Sequence, residues 1–192
     1  MITEQFFNKW IWSFLLIIPI CGLIFDEPYY ITLATKVIIF GIAGVGLNLA
    51  LGYCGLISFG HAAFFGVGGY VTAIMSYHAI NEEVLFHWPF DVFGSSEMLI
   101  IWPFAIFISS FFSLIIGLLS LRTSGVYFIM ITLAFAQMLY FFSISWPNYG
   151  GEDGLSIYMR NSLPMLNTMN PLTFYLVCLS WFLTSIFISY KL

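Results

Sequence analysis

Of the polar side chains inside otherwise apolar stretches of this 192-residue chain, Asn48, Ser58, His61 and Gln137 are the ones singled out. His61 is the one titratable group well inside such a stretch, and histidine is the side chain best suited to moving a proton near neutral pH. Proton transfer would need a carboxylate beside it, and no Asp or Glu falls within the apolar runs. His61 therefore reads first as a hydrogen-bonded histidine at a helix start, with a gating or substrate role as the alternative. An amide in hydrocarbon is unfavourable without a partner, so Asn48 and Gln137 are expected to point into a bundle, as interhelical hydrogen bonds before substrate contacts. Glu152 and Asp153 form an acidic pair among Gly150, Gly151 and Gly154, a pattern that reads as a solvated turn before a cation site. Cys21, Cys54 and Cys178 are isolated, so no metal or disulfide framework follows from them. The chain carries no G-x-S-x-G elbow, no H-E-x-x-H and no G-x-x-x-x-G-K-[ST] loop. No catalysis, metal or cofactor is expected.

The elements that would hold these side chains are membrane spans. The chain is 61% hydrophobic and 7% charged, with a mean hydropathy of +0.98, far from the make-up of a soluble domain. A span takes about 20 apolar residues, and the apolar runs predict about six. The first covers Trp10 to Phe25, retained because Ile18, Pro19 and Ile20 before Cys21 do not make a small-x-small cleavage site. The second runs from Ile31 to Leu51, the third through the glycine-rich stretch from Gly52 to Ile80, the fourth from Met98 to Leu121, the fifth from Ser124 to Trp146 and the sixth from Leu172 to Tyr190. Lys9, Arg122 and Lys191 fall at one set of ends and most acids at the other, which predicts both termini in the cytoplasm. Lys36 breaks that pattern and reads as a snorkelling anchor. No basic patch suits nucleic acid; lipid is the expected surrounding. The fold class is an all-α, glycine-rich packed bundle.

Two seams of small residues suggest how the bundle closes. Val37, Gly41, Gly44, Asn48 and Gly52 share one helical face, and Ala62, Gly66, Gly69, Ala73 and Ser76 share another. Gly41, Gly44, Gly66, Gly69 and Ala73 are thus expected to pack helix on helix, with Phe64, Val67, Val71 and Ile74 toward lipid or bulkier neighbours. Tyr127, Met130, Ala134, Gln137 and Phe141 share a face of the fifth span. The Gly52-Tyr53-Cys54-Gly55 connection is too short and glycine-rich for an ordinary exposed loop and is expected to dip into the bilayer.

The run GLNLALGYCGLISFGHAAFFGVGGYVTAI at 46–74 resembles the signature of the permease subunits of branched-chain amino acid ABC transporters, in particular the LivM-like subunit. LRTSGVYFIMITLAFAQML at 121–139 and GGEDGL at 150–155 are similar to later segments of that family, in the same order. The resemblance implies a bacterial plasma-membrane importer in which this chain and a LivH-like second permease subunit form the path. It further implies cytoplasmic ATPase subunits that drive transport and an external binding protein that delivers Leu, Ile or Val. Urea permeases share much of this signature. Members usually carry Ser or Thr where Glu152 stands, and they continue beyond the sixth span into a loop that engages the ATPase. Residues 1–192 are therefore expected to be the N-terminal part of a family-length permease, a single transmembrane domain truncated before its coupling loop.

On this reading Asn48, Ser58, His61 and Gln137 are candidates for lining a substrate path that opens by alternating access. A passive facilitator and a structural membrane partner without transport are the competing classes.

Overall fold

The computed structural model describes residues 17–20, 22, 27–86 and 92–191. Five long helices follow one another: α1 (Pro28–Asn48), α2 (His61–Asn81), α3 (Met98–Ser120), α4 (Val126–Ile144) and α5 (Pro171–Lys191). Each is long and apolar enough to cross a membrane, with α1 extended by one π-helical turn, Leu49–Tyr53. The chain is a multi-pass membrane protein. Most of the expected first span, Trp10 to Phe25, lies outside the described residues; Ile17–Ile20 and Gly22 are helical. Helix α1 begins earlier than its apolar run because Pro28 occupies the first turn, where a missing N–H costs nothing. The one departure from helix in regular structure, among the described residues, is a short antiparallel ribbon of β1 (Val84–Phe86) and β2 (Val92–Phe93) after α2. Of the acidic, aromatic connection expected there, residues 87–91 lie outside the described residues.

The helices form two compact units. In one, Ile31, Ala34 and Ile38 on α1 meet Tyr175 and Cys178 on α5, all buried. Spacings of three and four put each set on one face. A ring of α5 fills the notch at Gly41: a Cβ there would stand 3.0 Å from Cε2 of Phe182. Thr35 is buried on the same helix, and its hydroxyl donates to the Ile31 carbonyl at 2.8 Å. That bond satisfies a polar group that lipid-like surroundings would otherwise leave unpaired.

The second unit, Ala50–Met165, contains α2, α3 and α4. Helices α2 and α4 run parallel, since Gly60 lies against Thr132 and Tyr70 lies against Ser143 and Tyr149. Helix α3 starts beside the last turns of α2, where Gly94 in the preceding connection packs onto the backbone of Met75, His78 and Ala79. It therefore runs antiparallel to α2.

The seams do not close as the pattern suggested. Ala73 and Ser76 are buried, but Gly44, Gly66 and Gly69 are exposed, and no described atom lies within 4 Å of where a Cβ would stand on any of them. The half-buried face of α2 is the bulky one, Phe64, Val67, Val71 and Ile74. Branched side chains reach a neighbour at an ordinary interaxial distance of about 8–10 Å, whereas glycine gains contact only when a second backbone comes closer. Among the described residues no helix does so at Gly44, Gly66 or Gly69.

Candidate functional site

The first turn of α2 is entered through a non-helical break, Cys54–Gly60. Gly55 turns the chain with φ +66, a conformation that costs little only without a Cβ. Ser58 is buried, and its Oγ accepts the Gly60 N–H at 3.1 Å. Gly60 is buried too, pressed so close to α4 that an added Cβ would lie 2.9 Å from the Thr132 carbonyl oxygen and 3.2 Å from its Cβ. Thr132 is buried, and its hydroxyl donates to the Ile129 carbonyl.

This contact fixes the depth of the break. Thr132 stands six residues after the start of α4 at Val126, about 9 Å along the helix axis at 1.5 Å per residue. The break thus lies alongside a spanning helix rather than at its edge. Irregular backbone is tolerated at such depth where protein buries it or a cavity receives it. At its far end α2 runs eleven residues past Tyr70, the residue level with the end of α4, an overhang of about 16 Å.

Two polar atoms at the end of this unit where α2 begins are buried without a hydrogen-bond partner among the described residues: His61 Nδ1 and Ser120 Oγ. His61 opens α2, and Ser120 closes α3, the helix antiparallel to it. The His61 ring meets Phe64 edge to face, with centroids 6.3 Å apart. Gly60 brings no side chain to cap α2, so the positive end of the helix dipole is left to whatever approaches it.

The residues singled out by type separate into two groups. Ser58 and His61 come together at the break. Asn48 and Gln137, expected to face the interior, are exposed. So are Tyr127, Met130, Ala134 and Phe141, the rest of the Gln137 face; α4 packs through Phe128 and Thr132 instead. Helical phase explains the outcome, because the buried stripe is centred a quarter turn or more from Gln137. Ser120 escaped sequence reasoning, since one serine at the end of an apolar run looks like a helix terminus.

At the other end of α2 a second polar cluster holds the connection after α4. The His78 Nε2 lies 2.9 Å from the Tyr149 hydroxyl. Tyr70 donates to the Tyr149 carbonyl at 3.0 Å, and the Ser76 hydroxyl lies 2.7 Å from Oδ1 of Asn161.

A family model described as the branched-chain amino acid transport system permease component matches residues 29–192. The chain belongs to this family. No curated protein and no solved structure matches it at a significant level. As a member of an ABC-type permease family, the chain works with other transporter components, ATPase and permease subunits among them. The matched region takes in all five described helices of this permease, the break at Cys54–Gly60 and both polar clusters.

Proposed function

We propose that the chain is a subunit of an ATP-driven importer of branched-chain amino acids and that the substrate path passes the broken start of α2. The observation that carries this reading is the depth of the break, about 9 Å along α4, with His61 Nδ1 and Ser120 Oγ buried and unpaired at that end. A zwitterionic amino acid brings a carboxylate, which the uncapped start of α2 favours through its dipole and free N–H groups. It also brings an apolar side chain, suited to Phe64 and to Phe128, which shares the buried α4 stripe with Thr132. Ser58 and His61 are the path residues supported by this placement. Asn48 and Gln137 fit a different role, facing a LivH-like second permease subunit.

In this arrangement both termini are cytoplasmic and the break faces the cytoplasmic half of the membrane. Cytoplasmic ATPase subunits supply the movement, and an external binding protein delivers Leu, Ile or Val to the opposite side. The test is uptake by the complete transporter in proteoliposomes. Radiolabelled leucine should accumulate against its gradient only with ATP, with excess isoleucine competing and urea not. His61→Leu should lower uptake at least about tenfold, the cost of one lost polar contact to substrate, with the complex still assembled. Uptake that ignores ATP would make the chain a passive facilitator, and a fully active His61→Leu complex would remove the break from the path.

A further inference from the structure

The connection after α4 leaves large apolar side chains open. Tyr158 is 93% exposed and Met165 104%, and Ile157 and Met159 beside Tyr158 are exposed too. From residue 154 to residue 170 the one charged side chain is Arg160. Apolar side chains gathered on one exposed segment mark a surface made for contact.

Hydrogen bonds fix the depth of this segment. Ser162 pairs with the start of α3, its N–H donating to the Ser96 carbonyl at 2.8 Å and its carbonyl accepting the Met98 N–H at 2.9 Å. Asn161 meets the Ser76 hydroxyl on α2 at 2.7 Å. Met98 is the first residue of α3, an apolar helix of 23 residues and thus about 35 Å long. A helix of that length fills a hydrocarbon core about 30 Å thick, so its start, next to the charged Glu97, lies at a membrane boundary. Ser76 stands five residues short of the end of α2 at Asn81, about 8 Å along the axis. Helix α2 therefore projects past the segment toward water, followed by Glu82, Glu83 and the ribbon of β1 and β2. Ser76 is also six residues beyond Tyr70, which is level with the end of α4, about 9 Å. The segment thus lies where α4 has ended and α3 has begun.

That depth decides the occupant. A soluble partner approaching this side would meet the ribbon and the acidic end of α2 first, whereas lipid headgroups surround the helices at the level of Met98. We propose that residues 155–165 lie in the headgroup layer and insert Tyr158, Met159 and Met165 into the boundary with the acyl chains. Tyrosine suits that boundary, its ring in the apolar layer and its hydroxyl among headgroups. Methionine adapts its flexible apolar chain to the uneven lipid surface. The backbone bonds of Ser162 to α3 satisfy groups that would otherwise be left unpaired on leaving water. The contact is apolar and aromatic rather than electrostatic, since Glu152 and Asp153 precede the segment and Arg160 is its lone cation. Neutral lipid therefore suffices. The inference uses the second unit alone and stands or falls independently of the transport path.

The experiment places photoreactive benzoylphenylalanine singly at position 158, 159 or 165 and identifies the adducts by mass spectrometry after illumination. The full chain is held in phosphatidylcholine nanodiscs, first alone and then within the complete transporter. All three positions are exposed, and helical circular dichroism matching the unmodified chain checks that each variant folds. Phosphatidylcholine adducts at each position should exceed those of the same probe at Asp153 by at least about fivefold. The yield should not change when phosphatidylglycerol is added or when the other subunits are present. Lipid yields no higher than at Asp153, a yield that depends on phosphatidylglycerol, or adducts that pass to another subunit or to the external binding protein in the complete transporter each overturn the proposal.

Discussion

Gly60 and Gly66 are the same residue type six positions apart on the entry to one helix, yet they do opposite things. At Gly60 a Cβ would meet the Thr132 carbonyl oxygen at 2.9 Å, while at Gly66 it would meet nothing within 4 Å. The carbonyl belongs to α4 backbone and cannot turn aside like a side chain. Gly60→Ala should therefore separate α2 from α4 and destabilise the chain by about 1–3 kcal/mol, the usual cost of overpacking. Gly66→Ala should do the reverse, stabilising by up to about 1 kcal/mol, because alanine is the better helix former and finds open space. Thermal unfolding in detergent, followed by helical circular dichroism, separates the two. Equal shifts for both variants would mean that the close approach at Thr132 contributes nothing.

At the scale of the element, α2 is held at both ends and open along its glycines. The C-terminal half is fastened through Tyr70, Ser76 and His78, and the N-terminal end rests on α4 at Gly60. Ser76 is buried at 1% exposure with its hydroxyl against Asn161. Ser76→Ala would remove the bond that ties α2 to the connection after α4, and a loss of about 1 kcal/mol is expected, read as a lower unfolding temperature. The five described spans were plain in the sequence, since about twenty apolar residues in a row admit few other readings. The break was legible only in part: the connection expected at Gly52–Gly55 lies at Cys54–Gly60, because Gly52 and Tyr53 continue α1 in its π-helical turn and Ser58, expected within the third span, stands before it. The faces were not. A glycine stripe or a buried-looking amide says that a face is made for contact, but it does not say which helix supplies the contact. Val67, Val71 and Ile74, expected toward lipid or bulkier neighbours, are half-buried, while Gly66 and Gly69 were expected inward and are open. The contact between His78 and Tyr149 joins residues 71 positions apart, and no local pattern carries that distance.

At the scale of the whole molecule, the open faces have a common chemistry. Gly44 with Asn48 on α1, Gly66 with Gly69 on α2, and Gln137 on α4 are all exposed. Small residues facing lipid gain nothing over leucine, and an amide facing lipid loses hydrogen bonds it had in water. These faces are therefore suited to helices that the described residues do not supply, and the chain belongs to a family of permease components of larger transporters. The consequence is a separation of two effects that usually travel together. Gly69→Leu fills open space in this chain, so its own unfolding temperature should hold or rise. The same side chain would block a backbone from approaching, so co-purification with the second permease subunit should fall by about tenfold, the cost of one overpacked contact. Gln137→Leu should weaken assembly less, by roughly threefold, because one interhelical hydrogen bond in a membrane contributes little more than half a kcal/mol. Pull-down from detergent extracts at matched expression measures both. Full recovery of the partner with either variant would leave these faces to lipid, and the small residues along them would then lack a role in assembly.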